Sequence, residues 1–133
     1  NTKNQFAYNK LVFKRVLYLI TQRIWNIAYQ VTKNNIFSIY FSVSLPQKSA
    51  NGGQKDTEID IVATDNSNNI IFGECKYTKK PLDVNVYYDL LEKAKKVNWN
   101  KQNRNEYFVF FCINGYTEKM QNLAKENSNI VLY

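Results

Sequence analysis

The chain has 133 residues, with 18 Lys plus Arg, 11 Asp plus Glu and no His. This length suits one domain with a core of its own, and 44% hydrophobic against 22% charged residues excludes wholesale disorder. Without His there is no imidazole base, Ser–His–Asp triad or His-ligated metal, and two cysteines make neither a disulfide framework nor a four-thiolate zinc site.

Residues 4–32 read as a helix, because Phe6, Phe13, Leu17, Ile20, Ile24, Ile27 and Val31 recur at helical spacing. Leu11, Val12, Val16 and Leu19 widen the stripe, and Lys10 and Lys14 share the polar edge four residues apart. Apolar residues at the start are broken by Lys10, Lys14, Arg15 and Arg23, so they form neither the core of a signal peptide nor a membrane span. No acid precedes Asp56, whereas eight Lys and Arg do; from Asp56 onward ten cations face all eleven acids. A basic half interleaved with Tyr, Phe and Trp suits a phosphate-rich partner, with Lys10 and Lys14 as candidate nucleic-acid contacts. A merely solvated basic surface is the other reading.

Residues 36–45, rich in β-branched and aromatic side chains, predict a strand, and 46–56 (PQKSANGGQKD) a loop. Two strands, 57–64 and 70–77, flank the hairpin turn Asp65-Asn66-Ser67-Asn68-Asn69. Beyond Pro81, residues 84–98 predict a helix with Val86, Leu90, Leu91, Ala94 and Val97 inward and Lys93 and Lys96 outward. Residues 107–113 read as a buried strand; Gly115 breaks it, Thr117 caps a helix through Asn127, and 130–132 form a last short strand. The expected order is α-β-β-β-α-β-α-β, an α/β or α+β arrangement around one mixed sheet. Cys75 and Cys112 read as small buried thiols of a reducing compartment, which points to the cytoplasm. The start at Asn1 rather than Met suggests a piece of a longer protein.

The hairpin carries the chemistry. Side chains alternate along a strand, so Glu58 and Asp60 share one face, Glu74 and Lys76 share one face, and the apolar sets opposite them must meet a common core. That parity gathers Glu58, Asp60, Glu74 and Lys76, with Asp60 across from Glu74 and Glu58 across from Lys76. Opposed like charges are destabilising, and a hard divalent cation such as Mg²⁺ removes the conflict. A cation there lowers the pKa of a water, and Lys76 is placed to orient it or to offset charge on a phosphate. The competing reading is a surface ladder in which Glu58 pairs with Lys76. Lys79 and Lys80, then Lys93, Lys96, Lys101 and Arg104, form either a phosphate track or a solvated face. Trp25 and Trp99 are base-stacking candidates or buried anchors.

Asp60 followed by Glu74-Cys75-Lys76 on the next strand resembles the PD-(D/E)xK motif of restriction-endonuclease-like nucleases. With Glu58-Ile59-Asp60-Ile61-Val62-Ala63, Pro81-Leu82-Asp83-Val84 and Gly115-Tyr116-Thr117-Glu118, the chain looks like the nuclease-like domain at the carboxy terminus of archaeal-type P-loop ATPases. The resemblance covers residues 55–133 and, loosely, the first helix. It implies a sheet flanked by helices, and Mg²⁺- or Mn²⁺-dependent hydrolysis of DNA or RNA by an endonuclease, or a non-cutting descendant serving an attached ATPase. Asp60 and Glu74 would be the metal ligands and Lys76 the catalytic lysine, with Glu58 auxiliary; Lys79 and Lys80 stay candidate nucleic-acid contacts on charge alone. Where relatives place a Glu in the first helix, this chain has Lys14. A homodimer is implied where two strands are cut, although no segment reads as a dimer interface.

Overall fold

The computed structural model describes residues 2–34, 36–46 and 58–133, with side chains left undescribed over much of the first half of the first helix. The chain divides into two compact units, Asn1–Ile36 and Phe37–Tyr133. The first is helix α1 (Thr2–Thr32). It stops where the Thr32 hydroxyl turns back to donate to the Ala28 carbonyl and Lys33 takes a left-handed φ of 61°.

The second unit holds β1 (Ser38–Ser44), β2 (Glu58–Thr64), β3 (Asn69–Lys76), α2 (Val84–Ala94), β4 (Asn105–Cys112), α3 (Glu118–Glu126) and β5 (Ile130–Leu132). The expected element order is the one observed. The strands form one sheet in the order β1-β2-β3-β4-β5. The β1–β2 and β2–β3 pairs are antiparallel, and β3–β4 and β4–β5 are parallel. Each parallel step carries a helical crossover, as such a connection requires.

The β2–β3 turn is built by Asp65, whose Oδ1 accepts from the amides of Ser67 and Asn69 while Asn68 takes φ 61°. Asp83 caps α2 by accepting from Val84 N, and the Thr117 hydroxyl caps α3 by accepting from Met120 N. Gly115, at φ 77°, makes the turn ahead of that cap.

Leu90 and Ala94 of α2 and Met120 of α3 join a core that also contains Val62, Ile70, Phe72, Phe108, Phe110 and Ile130. Phe72 and Phe108, paired across β3 and β4, stack at 5.6 Å. Ile59, expected in the core, belongs to this same cluster, and the other side chains expected there, Ile61, Ala63 and Ile71, are buried as well. The hairpin therefore has two dry faces rather than one, as strands feeding a parallel sheet do.

Two expectations are corrected. Helix α2 ends at Ala94 instead of reaching Asn98. There the chain tightens, with Lys96 N donating to the Lys93 carbonyl and Val97 N to the Ala94 carbonyl, and the Arg104 guanidinium closes the segment by donating to the carbonyls of Ala94, Val97 and Trp99. Arg104 also pairs with Glu106 at 2.9 Å and lies over the Phe72 ring, so it is a buried structural cation and not part of a phosphate track. Trp99 packs against the core, as an anchor would. Cys75 and Cys112 are half-buried. Beyond Pro46, the expected 46–56 loop with Gly52 and Gly53 lies outside the described residues.

Candidate active site

The site forms where the sheet changes from antiparallel to parallel pairing, at the carboxyl end of β3. The β2–β3 ladder runs from Thr64↔Ile70 to Ile61↔Gly73. One more step in the same register sets Asp60 opposite Glu74. There the side chain takes over from the backbone, and Asp60 Oδ2 accepts from the Cys75 amide at 2.8 Å. This bond holds the Asp60 carboxylate on β3, beside the Glu74 that precedes the same amide.

Across β1 the ladder skips one pair between Phe41↔Ile61 and Val43↔Ile59, the place that faces Asp60. Ser42 stands there with φ 50°, a left-handed conformation that costs a non-glycine residue about 1 kcal/mol or more. Such strain is common beside functional groups.

Glu74 is only 2% exposed. It lies in register with Phe110, itself fully buried, and under α2. Burial first, and the adjacent Asp60 charge second, push its carboxyl from the ordinary 4.5 up to about 7, against the opposing pull of Lys93. Lys93 Nζ donates to Glu74 Oε1 at 3.0 Å and to the main-chain carbonyl of Glu58 at 3.0 Å. Lys76 Nζ stands 3.9 Å from Glu74 Oε2. The side chain of Lys93 is 12% exposed and that of Lys76 is 36% exposed, so one ammonium is anchored inside while the other faces solvent. Cys75, between Glu74 and Lys76, is pushed up to about 12 by burial and the two neighbouring carboxylates, which keeps it a thiol.

Asp60, Glu74 and Lys76 are thus brought together. Glu58 is exposed, and its main-chain carbonyl accepts from Lys93 Nζ at this site. Lys79 and Lys80 are exposed in the turn after β3. Lys10 and Lys14 stand in α1 with side chains outside the described residues. Lys93 was expected outward, and is inward. The signal was available: Lys93 follows Val86 by seven and Leu90 by three, which are positions of the apolar stripe.

The donor chemistry suits a divalent cation. Two carboxylates, one of them disfavoured as an anion by its neighbour, are the pair that a hard cation relieves. Asp60 and Glu74 would hold it. Among the described residues no three acidic, Cys or His side chains come together as a ready-made cage. A cavity of about 500 Å³ lined by Asn68, Asn98, Asn100, Lys101, Gln102 and Asn103 opens at the other end of β3, away from the carboxylates. Among the described residues no helix is long and apolar enough to cross a membrane.

Compared with known proteins, the chain matches over residues 5–106 a family described as archaeal and bacterial proteins of unknown function, DUF234. No curated protein matches it. Among solved structures it is similar to one titled as the protein of unknown function AF1548, with 18% identity and a TM-score of 0.48, over 80% of this chain and 53% of that one. The match over most of the length is decisive for membership: the chain belongs to the DUF234 family.

Proposed function

We propose that this member of the family is a metal-dependent phosphodiesterase domain of the PD-(D/E)xK type, acting on DNA in the cytoplasm as part of a longer, ATPase-containing protein. The observation that carries the reading is the buried Glu74 set beside Asp60 with a lysine on each side. Asp60 and Glu74 would hold one Mg²⁺ or Mn²⁺. When bound, that ion supplies a lowered water pKa and a positive charge against the scissile phosphate.

The chain's own residues do the rest. The Cys75 amide fixes Asp60, and Lys93 fixes Glu74, so both carboxylates are oriented before a substrate arrives. Lys76 is the more open of the two lysines, and its ammonium donates to the attacking water or to a phosphate oxygen as charge builds there. Lys79 and Lys80 extend positive charge from the site along the approach of a phosphate backbone.

A second reading is favoured by one specific contact. Lys93 already neutralises Glu74, which is what a domain that binds nucleic acid without cutting it would do with an inherited acidic pair. Labelled single-stranded, duplex and branched DNA, incubated with Mg²⁺, Mn²⁺ or EDTA, separates the two. Cutting that requires the divalent ion and disappears in Asp60→Asn is expected. DNA retained on a gel but left intact by the wild type under every condition would leave the binding module.

A further inference from the structure

Just past the carboxyl ends of β3 and β4, two large apolar side chains stand almost fully in solvent. Tyr77 is 85% exposed and Ile113 is 80% exposed. They come from neighbouring strands: the β3–β4 register ends at Lys76↔Cys112, so the next residue on each strand, Tyr77 and Ile113, leaves the sheet alongside the other.

The segments that carry them are fastened together. The Thr78 hydroxyl meets Cys112 Sγ at 3.8 Å, and Asn114 Nδ2 donates to the Thr78 carbonyl. Leu82 N donates to the Gly115 carbonyl, and Thr117 N donates to the Leu82 carbonyl, both at 2.9 Å. Thr78 also donates to the Lys80 carbonyl at 2.7 Å, closing the turn that presents Lys79 and Lys80. The apolar pair is therefore held in place beside a run of cations, Lys76, Lys79 and Lys80, with no acid between them. The next acid, Asp83, is engaged as the cap of α2 and as acceptor of the Thr117 hydroxyl.

We propose that this edge is a platform for an unpaired nucleic-acid strand, with Tyr77 and Ile113 receiving a base and Lys79 and Lys80 receiving the adjoining phosphates. It rests on the phosphodiesterase or nucleic-acid-binding reading above and names its substrate class. Charge selects a polyanion, and the apolar pair selects one whose base faces are accessible. In a duplex interior those faces are stacked, so a single strand, a flap or a frayed end is what fits. Tyr77 follows Lys76 directly, which sets the platform just past the carboxyl end of β3, the strand that carries Glu74.

Binding of fluorescent single-stranded and blunt hairpin DNA by the full chain, in EDTA at low salt, tests the platform without cleavage. The wild type should prefer the single strand about tenfold or more. Tyr77→Ala with Ile113→Ser should weaken single-strand binding by about ten- to hundredfold and leave hairpin binding within about twofold, while Tyr77→Phe retains it. Lys79→Ala with Lys80→Ala should weaken both ligands and flatten the salt dependence. Equal affinity for the two DNAs, an unchanged Tyr77→Ala, Ile113→Ser variant, or no DNA binding at all overturns the proposal; the last outcome leaves a protein partner for the patch. If the single strand binds as described but Mn²⁺ never yields product, the platform stands and the hydrolytic reading falls.

Discussion

Lys93 reaches from α2 to touch both strands of the hairpin, donating from Nζ to Glu74 Oε1 on β3 and to the Glu58 carbonyl on β2, each at 3.0 Å. One ammonium thus fixes the helix to the hairpin and supplies the counter-charge that a buried carboxylate needs. Asp60 is attached from the other side by the Cys75 amide. The candidate site is therefore ordered by contacts that need no ligand.

Removing that ammonium exposes its role. Lys93→Met leaves Glu74 buried without its closest cation, and breaking a buried pair from one side costs about 3–5 kcal/mol when the remaining charge persists. At low pH the orphaned carboxyl takes up a proton and the loss shrinks. Urea denaturation of the variant should show a large deficit near pH 8 and a much smaller one near pH 5. A deficit of the same size at both would mean that Lys93 acts by packing its stem rather than by pairing.

The wild type carries a pH signature of its own. Glu74 is raised from 4.5 to about 7 in the folded chain, so between those values the native state holds a proton that the unfolded state has released. The contribution of Glu74 to stability without metal is thus fullest below about pH 4.5, falls as pH rises, and above 7 is lower by about 3 kcal/mol. Glu74→Gln should lack that decline. Its stability relative to wild type, measured in EDTA across pH 4.5 to 8.5, should improve with rising pH; a constant difference would remove Glu74 as the source.

The hairpin was legible because two-residue alternation and a five-residue turn leave little freedom: once Ile59, Ile61 and Ile71 are assigned inward, Asp60 and Glu74 must meet. The element order followed from the same patterning. What could not be read was which distant partners a charged residue would find. Lys93 and Arg104 look like surface cations by composition, and each is buried by partners distant in sequence, Glu74 in one case and the carbonyls at the end of α2 in the other. Periodicity records which positions face inward, and a long amphipathic side chain there satisfies the pattern as well as a Leu does.

Arg104 illustrates the energetic side. Its guanidinium serves three carbonyls and Glu106, a fork that a single ammonium cannot reproduce. Arg104→Lys and Arg104→Met should each lose about 3 kcal/mol of stability, with DNA binding unchanged per folded molecule. Chemical denaturation monitored by Trp fluorescence checks this, since Trp99 packs against the core beside the same loop. Weakened DNA binding at full stability would return Arg104 to the phosphate track.

Gly73 lies one residue before Glu74 and is paired with Ile61. A Cβ there would meet Ile61 Cβ at 3.1 Å and its Cδ1 at 3.3 Å. The Cδ1 can swing away, but the Cβ is fixed to the β2 backbone, so the two strands must part by a few tenths of an ångström. Gly73→Ala should destabilise by about 1–3 kcal/mol as overpacking. Because the same two strands carry Asp60 and Glu74, it should also weaken Mn²⁺ binding measured by calorimetry on the folded variant. Pairing it with Ile61→Val, which trims the flexible end but keeps the Cβ, should restore little of either property. Full recovery in the double variant would mean that the side-chain tip, and not the closeness of the two backbones, sets the spacing of the carboxylates.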